Sequence, residues 1–185
     1  MSINPIELLR QKVSSVLLNT PDGLAKEKSV LLSKFYPIFL SILVTKPNLI
    51  QKLKYVIVPS LSDLLEQNDQ AKNVLLTNLV SGRLTTFEAE QIINQAIPKC
   101  LAALTSEAGN DTPSIIHYLE QYADSIRAYV SEWAVALLTP LGLITSLSAS
   151  ESNLINTTEL VGYKNYLLLF IFGFTALVLF ILWLL

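Results

Sequence analysis

The chain has 185 residues and a formal net charge of −2, with 13 Lys+Arg against 15 Asp+Glu, a balance that argues against a basic nucleic-acid-binding surface. Cys100 is its only cysteine, which excludes an intramolecular disulfide and suits a reducing compartment. The opening MSINPIELLRQK lacks the basic and apolar regions of a secretory signal, so export of the N-terminus is not expected.

Residues 4 to 139 carry helical periodicity with no strand-length alternation. The expected fold is all-α: a compact multi-helix domain of short, proline-broken helices (1–147), a polar linker (148–165) and a single C-terminal transmembrane helix (166–185). Asn4 is placed to cap a first helix, with Pro5 in its first turn, Glu7 three residues after the cap, and an apolar stripe at Ile6, Leu9, Val13 and Val16. The turn Thr20–Gly23 ends it. A segment from about Leu24 to Lys34 leads to Phe35, Tyr36 and Pro37, after which Ile38, Phe39, Ile42 and Leu43 continue a buried face; at about ten residues this greasy stretch is read as core. Beyond Lys46 and Pro47, the residues Leu49, Leu53, Val56 and Ile57 form a stripe that Pro59 interrupts.

A brief piece follows at Leu61, Leu64 and Leu65, then one at Val74–Val80 closed by Gly82. Thr85 and Glu88 form a capping box for a helix with Ile93, Ile97, Cys100, Leu101 and Leu104 on one face, which Pro98 is expected to kink or split. From Thr112 and Pro113, one long helix is predicted through Ile115, Leu119, Tyr122, Ile126, Tyr129 and Trp133, spaced 4, 3, 4, 3 and 4. That seam faces either the domain core or a partner helix; three heptads favour the core. Residues 133–147 include Pro140 and Gly142 and are too short for a full span, which leaves an interfacial or re-entrant segment as the alternative to core.

Residues 148–165, rich in Ser, Asn and Thr, precede Tyr166–Leu185, twenty residues without charge or proline. At about 1.5 Å per residue such a helix covers roughly 30 Å, the hydrocarbon thickness of a bilayer. Tyr166, Phe170, Gly173, Phe174, Phe180 and Trp183 are the membrane-anchor residues of this reading. Gly173 and Ala176 are three apart and do not form a GxxxG seam. Lys164 flanks the N-terminal side and no charge follows, which places the domain in the cytoplasm. The end at Leu185 fits a tail-anchored protein or a chain cut from a longer one.

Chemistry-bearing residues are sparse. His117 is the only histidine, so a triad or a histidine-based metal site would have to be built on it, with Glu120 the sole nearby carboxylate. Lys99 would favour a Cys100 thiolate, but Cys100 lies on an apolar stripe where burial opposes it. The six glycines are too scattered for a phosphate loop. Glu88 with Glu90 and Asp63 with Glu66 fit caps and solvated faces. Neither catalytic nor metal residues are assigned; no cofactor, nucleic acid or small-molecule substrate is expected. One asymmetry stands out: Lys26–Lys54 holds six lysines and one acid, whereas Tyr55–Glu132 holds ten acids and four bases. The lysines either complement the acidic half or rest against anionic headgroups.

FYPIFLSILVTKPNLIQKL (Phe35–Leu53), VPSLSDL (Val58–Leu64), INQAIPKCL (Ile93–Leu101) and the SEWA around Trp133 resemble the uncharacterised helical domain of the YidB-like group, over roughly residues 5–145. Such a domain precedes a transmembrane helix and an OmpA-like peptidoglycan-binding domain in some bacterial envelope proteins. The resemblance implies a single-pass inner-membrane protein with a cytoplasmic N-terminal domain; this sequence lacks the periplasmic domain, so no peptidoglycan site transfers. The function expected is a non-enzymatic, membrane-anchored interaction or assembly module of an envelope complex. Its partners would be the lipid bilayer and either another envelope protein or itself, through Lys46, Lys52, Lys54 and Trp133. The alternative is a lipid-binding or membrane-remodelling protein whose basic region and 133–147 segment lie on the leaflet.

Overall fold

The computed structural model describes residues 3–19 and 23–145, and every regular element among them is helical. The six anchor residues from Tyr166 to Trp183 and the 148–165 linker lie outside the described residues. Helix α1 (Pro5–Leu9) passes through a π-helical turn (Arg10–Ser14) into α2 (Ser15–Leu17). Asn4 caps α1 by accepting from the Ile6 amide at 2.9 Å. Glu7 does not close the expected reciprocal box; it accepts from Gln11 at 3.1 Å. The π turn inserts one extra residue per turn. The buried stripe is therefore displaced from Val16, which is 56% exposed, to Leu17.

Helix α3 (Ala25–Thr45) is the centre of the domain. The expected short segments are in fact one helix of 21 residues running through Pro37. Losing one hydrogen bond at a proline costs about 3 kcal/mol, whereas each fully buried large apolar side chain contributes about 1.5–3 kcal/mol. Leu31, Leu32, Phe35, Tyr36, Ile38, Phe39, Leu40, Ile42 and Leu43 are all buried, so burial outweighs the break. By length and composition α3 is able to cross a membrane, so shortness does not explain its place in the core. In this fold it packs against α1, α7, α8 and α9. The rings of Phe35 and Phe39 meet at 5.8 Å within it.

Helices α4 (Asn48–Tyr55), α5 (Leu61–Leu64) and α6 (Asp69–Leu79) follow in short steps. Gly82 follows α6 at φ +68°, where an added Cβ would lie 2.9 Å from the Glu27 side chain. Arg83 then pairs with Glu27 at 3.1 Å. Helix α7 (Thr86–Ala108) begins at the predicted capping box, where Thr85 Oγ1 accepts from the Glu88 amide and Glu88 accepts from the Thr85 amide at 2.8 Å. It continues unsplit through Pro98 and packs on α1, α3, α5, α6 and α8.

The single helix predicted from Thr112 is three: α8 (Thr112–Glu120), α9 (Ala123–Ala128) and α10 (Glu132–Leu138). Tyr122 and Ser131 leave helical geometry before α9 and α10, at φ −115°, ψ 11° and φ −68°, ψ 146°. Ile115, Leu119 and Ile126 of the seam are buried in the core, while Tyr129 is exposed. Ala134, Leu138, Leu143 and Ile144 are also buried in the core, whereas Trp133, Val135, Leu137 and Leu141 are partly buried and Ala136 and Pro140 are exposed.

Candidate functional site

The core seals most large apolar side chains; among the described residues Val16, Val30, Tyr55, Ile57, Val58, Val74, Phe87 and Tyr129 stay exposed, and three of these lie together where α4 gives way to α5. Leu49, Ile50 and Leu53 turn one face of α4 inward, leaving Lys52, Lys54 and Tyr55 exposed. Val56 takes extended geometry (φ −77°, ψ 129°) and ends the helix. Pro59, ahead of it, disfavours helix at Val58. The result is an apolar tip: Tyr55 is 80% exposed, Ile57 98% and Val58 69%. Val56 and Ile57, expected on a buried stripe, lie past the end of the helix that would have turned them inward.

Both ends of the tip are fixed. Leu53 is buried on one side, and Pro59 and Leu61 are buried on the other. Ser60 and Asp63 form a reciprocal capping box for α5, with Ser60 N–H donating to Asp63 Oδ2 at 2.9 Å. The Leu61 amide donates to Asn94 Oδ1 of α7 at 2.8 Å, tying the base of the tip to the central framework. Hydrogen bonds from Ser60 hold the Asp63 carboxyl below its usual range, against the opposing effect of burial, and Lys52 adds a favourable charge.

Beside Tyr55 is an open cleft of about 330 Å³ lined by Gln51, Lys54, Tyr55, Asn110, Asp111 and Thr112. Lys54 Nζ donates to the Asn110 carbonyl and, at 3.3 Å, to Asn110 Oδ1. Asp111 caps α8 by accepting from the Ser114 amide at 2.9 Å, and the Ser114 hydrogen bonds depress its carboxyl. The neutral partner of Lys54 leaves its charge uncompensated within that bond.

The lysines expected to act together are used differently. Lys46 pairs with Glu66, which with Gln67 occupies the left-handed region at φ 53° and 64°. Lys28 is buried. Lys52 and Lys54 remain at the surface, adjoining the tip. Trp133 is elsewhere, on α10, which packs against α6, with its ring partly buried against the core.

A second exposed apolar place lies between α6 and the start of α7. Phe87, 67% exposed, lines an open cleft of about 360 Å³ with Asn73, Leu76, Thr77, Thr86 and Glu90, and Val74 is exposed nearby in sequence on α6. Lys72 bridges Asp69 at 3.4 Å and Glu90 at 3.3 Å at its edge. Neither the tip nor Phe87 was identified from sequence. The Pro59 restriction on Val58 was the readable signal for the first; first-turn placement after the Thr85 cap was the signal for the second.

Residues with chemical potential do not converge on these places. His117 Nε2 lies 3.0 Å from Gln121 Nε2 on α8. Cys100 is buried, and burial raises its thiol pKa above the ordinary range, opposing the expected effect of Lys99. Among the described residues no cluster of three or more His, Cys, Asp or Glu side chains could hold a metal ion. Comparison with protein-family models, curated proteins and solved structures finds no match.

Proposed function

We propose that the chain is a non-enzymatic helical interaction module held at the bacterial inner membrane by residues 166–185, with its N-terminal domain in the cytoplasm, and that it assembles with an envelope protein or with itself. The observation that carries this reading is the Phe87 cleft: a large aromatic side chain stands 67% exposed over a depression on a domain whose three α3 aromatics, Phe35, Tyr36 and Phe39, are wholly buried. Exposed aromatic anchors bordered by charged groups, here Lys72 and Glu90, are the usual starting material of a protein interface. The YidB-like resemblance supports the envelope setting.

The test is a photoreactive amino acid at Val74 in the full chain, crosslinked in cells. Discrete protein adducts that vanish in a Phe87→Glu variant support the reading; adducts unchanged by Phe87→Glu, or their absence, refute the cleft as a protein interface. Protease applied to either face of isolated inner membranes, followed by blotting for the N-terminal domain, tests the orientation. The second reading, a lipid-binding domain, is favoured by a different observation, the exposed tip at Tyr55, Ile57 and Val58.

A further inference from the structure

We propose that the tip formed by Tyr55, Ile57 and Val58 is a second membrane contact, docking at the headgroup–acyl boundary of an anionic leaflet with Lys52 and Lys54 among the headgroups. The inference rests on the membrane-tethered reading above and adds a specific site to it. Twenty residues, 146–165, separate the last described residue from the anchor segment. Even fully extended they reach at most about 70 Å, so the domain is confined near the bilayer and a weak surface affinity suffices to dock it.

The chemistry of the tip fits an interface. Ile57 is 98% exposed and makes almost no packing contribution to the fold, so selection for stability does not explain its apolarity. Tyr55 has an apolar ring and a polar hydroxyl, the amphipathic form that settles at headgroup level. Val56 is extended, and a tip of this kind leaves main-chain amides that need water or headgroup partners, which limits insertion to the interfacial layer. Lys52 and Lys54 lie one helical turn or less behind the tip. The carboxylates that feel them, Asp63 and Asp111, are both engaged in capping α5 and α8. Ile57 and Val58 protrude outside the cleft beside Tyr55, and protruding side chains of this kind suit a soft lipid surface better than a shaped protein partner.

Cys100 is buried, so an Ile57→Cys variant of the full chain presents one accessible thiol for an environment-sensitive fluorophore. Val16→Cys, at an exposed position outside both the tip and the Phe87 cleft, provides the comparison site. In vesicles containing phosphatidylglycerol, the label at 57 is expected to shift blue and be quenched by lipids spin-labelled high on the acyl chain, while the label at 16 stays aqueous. Lys52→Glu with Lys54→Glu should lower the docked-to-undocked ratio about tenfold or more. Equal aqueous emission at both sites overturns the proposal. Shielding at 57 that the lipid quencher does not reach also overturns it and assigns the tip to a protein or a second copy. Alkaline carbonate extraction, performed afterwards on the same vesicles, reports the anchor separately: a quenched label on an extractable chain upholds docking and refutes the anchor, and an unquenched label on a resistant chain does the reverse.

Discussion

The hydroxyls of Ser14 and Tyr36 meet at 2.8 Å where the π-helical turn ends, and the two partners differ in how much water they could reach if separated. Tyr36 is wholly buried, whereas Ser14 is only part-buried. Ser14→Ala strands a phenol in the core and should cost about 2 kcal/mol, within the 1–3 kcal/mol range for an orphaned buried polar group. Tyr36→Phe removes the buried hydroxyl itself and leaves Ser14 to water, so the loss should be nearer 1 kcal/mol. Each substitution deletes one hydroxyl, and the one at the less buried residue is thus the more damaging. The double variant should recover part of the sum, with a coupling of about 1 kcal/mol. Urea unfolding of the full chain in detergent, followed by helical circular dichroism, measures all four corners of the cycle, provided that the slopes agree. A Tyr36→Phe loss equal to or larger than that of Ser14→Ala, or a coupling near zero, would show that this bond does not satisfy the core phenol.

Ser41 is fully buried on α3 and its hydroxyl has no partner, so Ser41→Ala should raise stability by about 1 kcal/mol, read as a higher urea midpoint. Gln67 is left-handed at φ 64°, and Gln67→Gly should be neutral to stabilising by about 1 kcal/mol in the same assay, whereas a β-branched residue there should destabilise. Thr85→Ala removes a reciprocal cap from α7 and should cost about 1 kcal/mol; a Thr85→Ser variant should retain most of it. The Asp63 carboxyl is depressed in the folded state by its Ser60 hydrogen bonds, so its contribution is complete above the ordinary carboxyl pKa of 3.8 and is lost as pH falls through the lower folded value. Acid titration of the urea midpoint should therefore show a decline below about pH 4 that Asp63→Asn reduces.

Local chemistry made the helix starts legible. Asn4 with Pro5, Thr85 with Glu88, and Pro113 in the first turn of α8 each announce a terminus within four residues, and each stands where those residues put it. The capping role open to Asp63 is likewise realised, with Ser60, three residues before it, as the reciprocal partner that the sequence reading does not name. Prolines misled because their cost is local while the gain that offsets it is tertiary: Pro37 and Pro98 sit inside helices of 21 and 23 residues whose faces are buried on several neighbours. The opposite error merged α8, α9 and α10. Periodicity survives a break when a short turn consumes about as many residues as a helical turn would, and the seam from Ile115 to Ile126 keeps its phase across Tyr122. The π turn evades pattern reading for the converse reason, shifting the stripe by a single residue from Val16 to Leu17.

The candidate site was less legible than the fold because it lies where two levels of reasoning disagree. A period-based reading places Val56 and Ile57 with Leu49 and Leu53 on one buried face; that holds only if α4 continues for two more residues. Pro59 biases Val58 away from helix, Val56 is already extended, and the side chains that the period would have buried are left outside. Elsewhere in this domain such conflicts were resolved in favour of burial, as at Pro37. Here the chain instead pins the ends of the exposed segment, with Leu53, Pro59 and the Leu61–Asn94 bond, and leaves Ile57 in water. Disagreement between local pattern and fold is expected to mark function when the surrounding structure holds it in place. That is the physical reason to look for a partner at Tyr55–Val58 before looking at the scattered lysines: Lys46 is already answered by Glu66, whereas Ile57 is 98% exposed among the described residues.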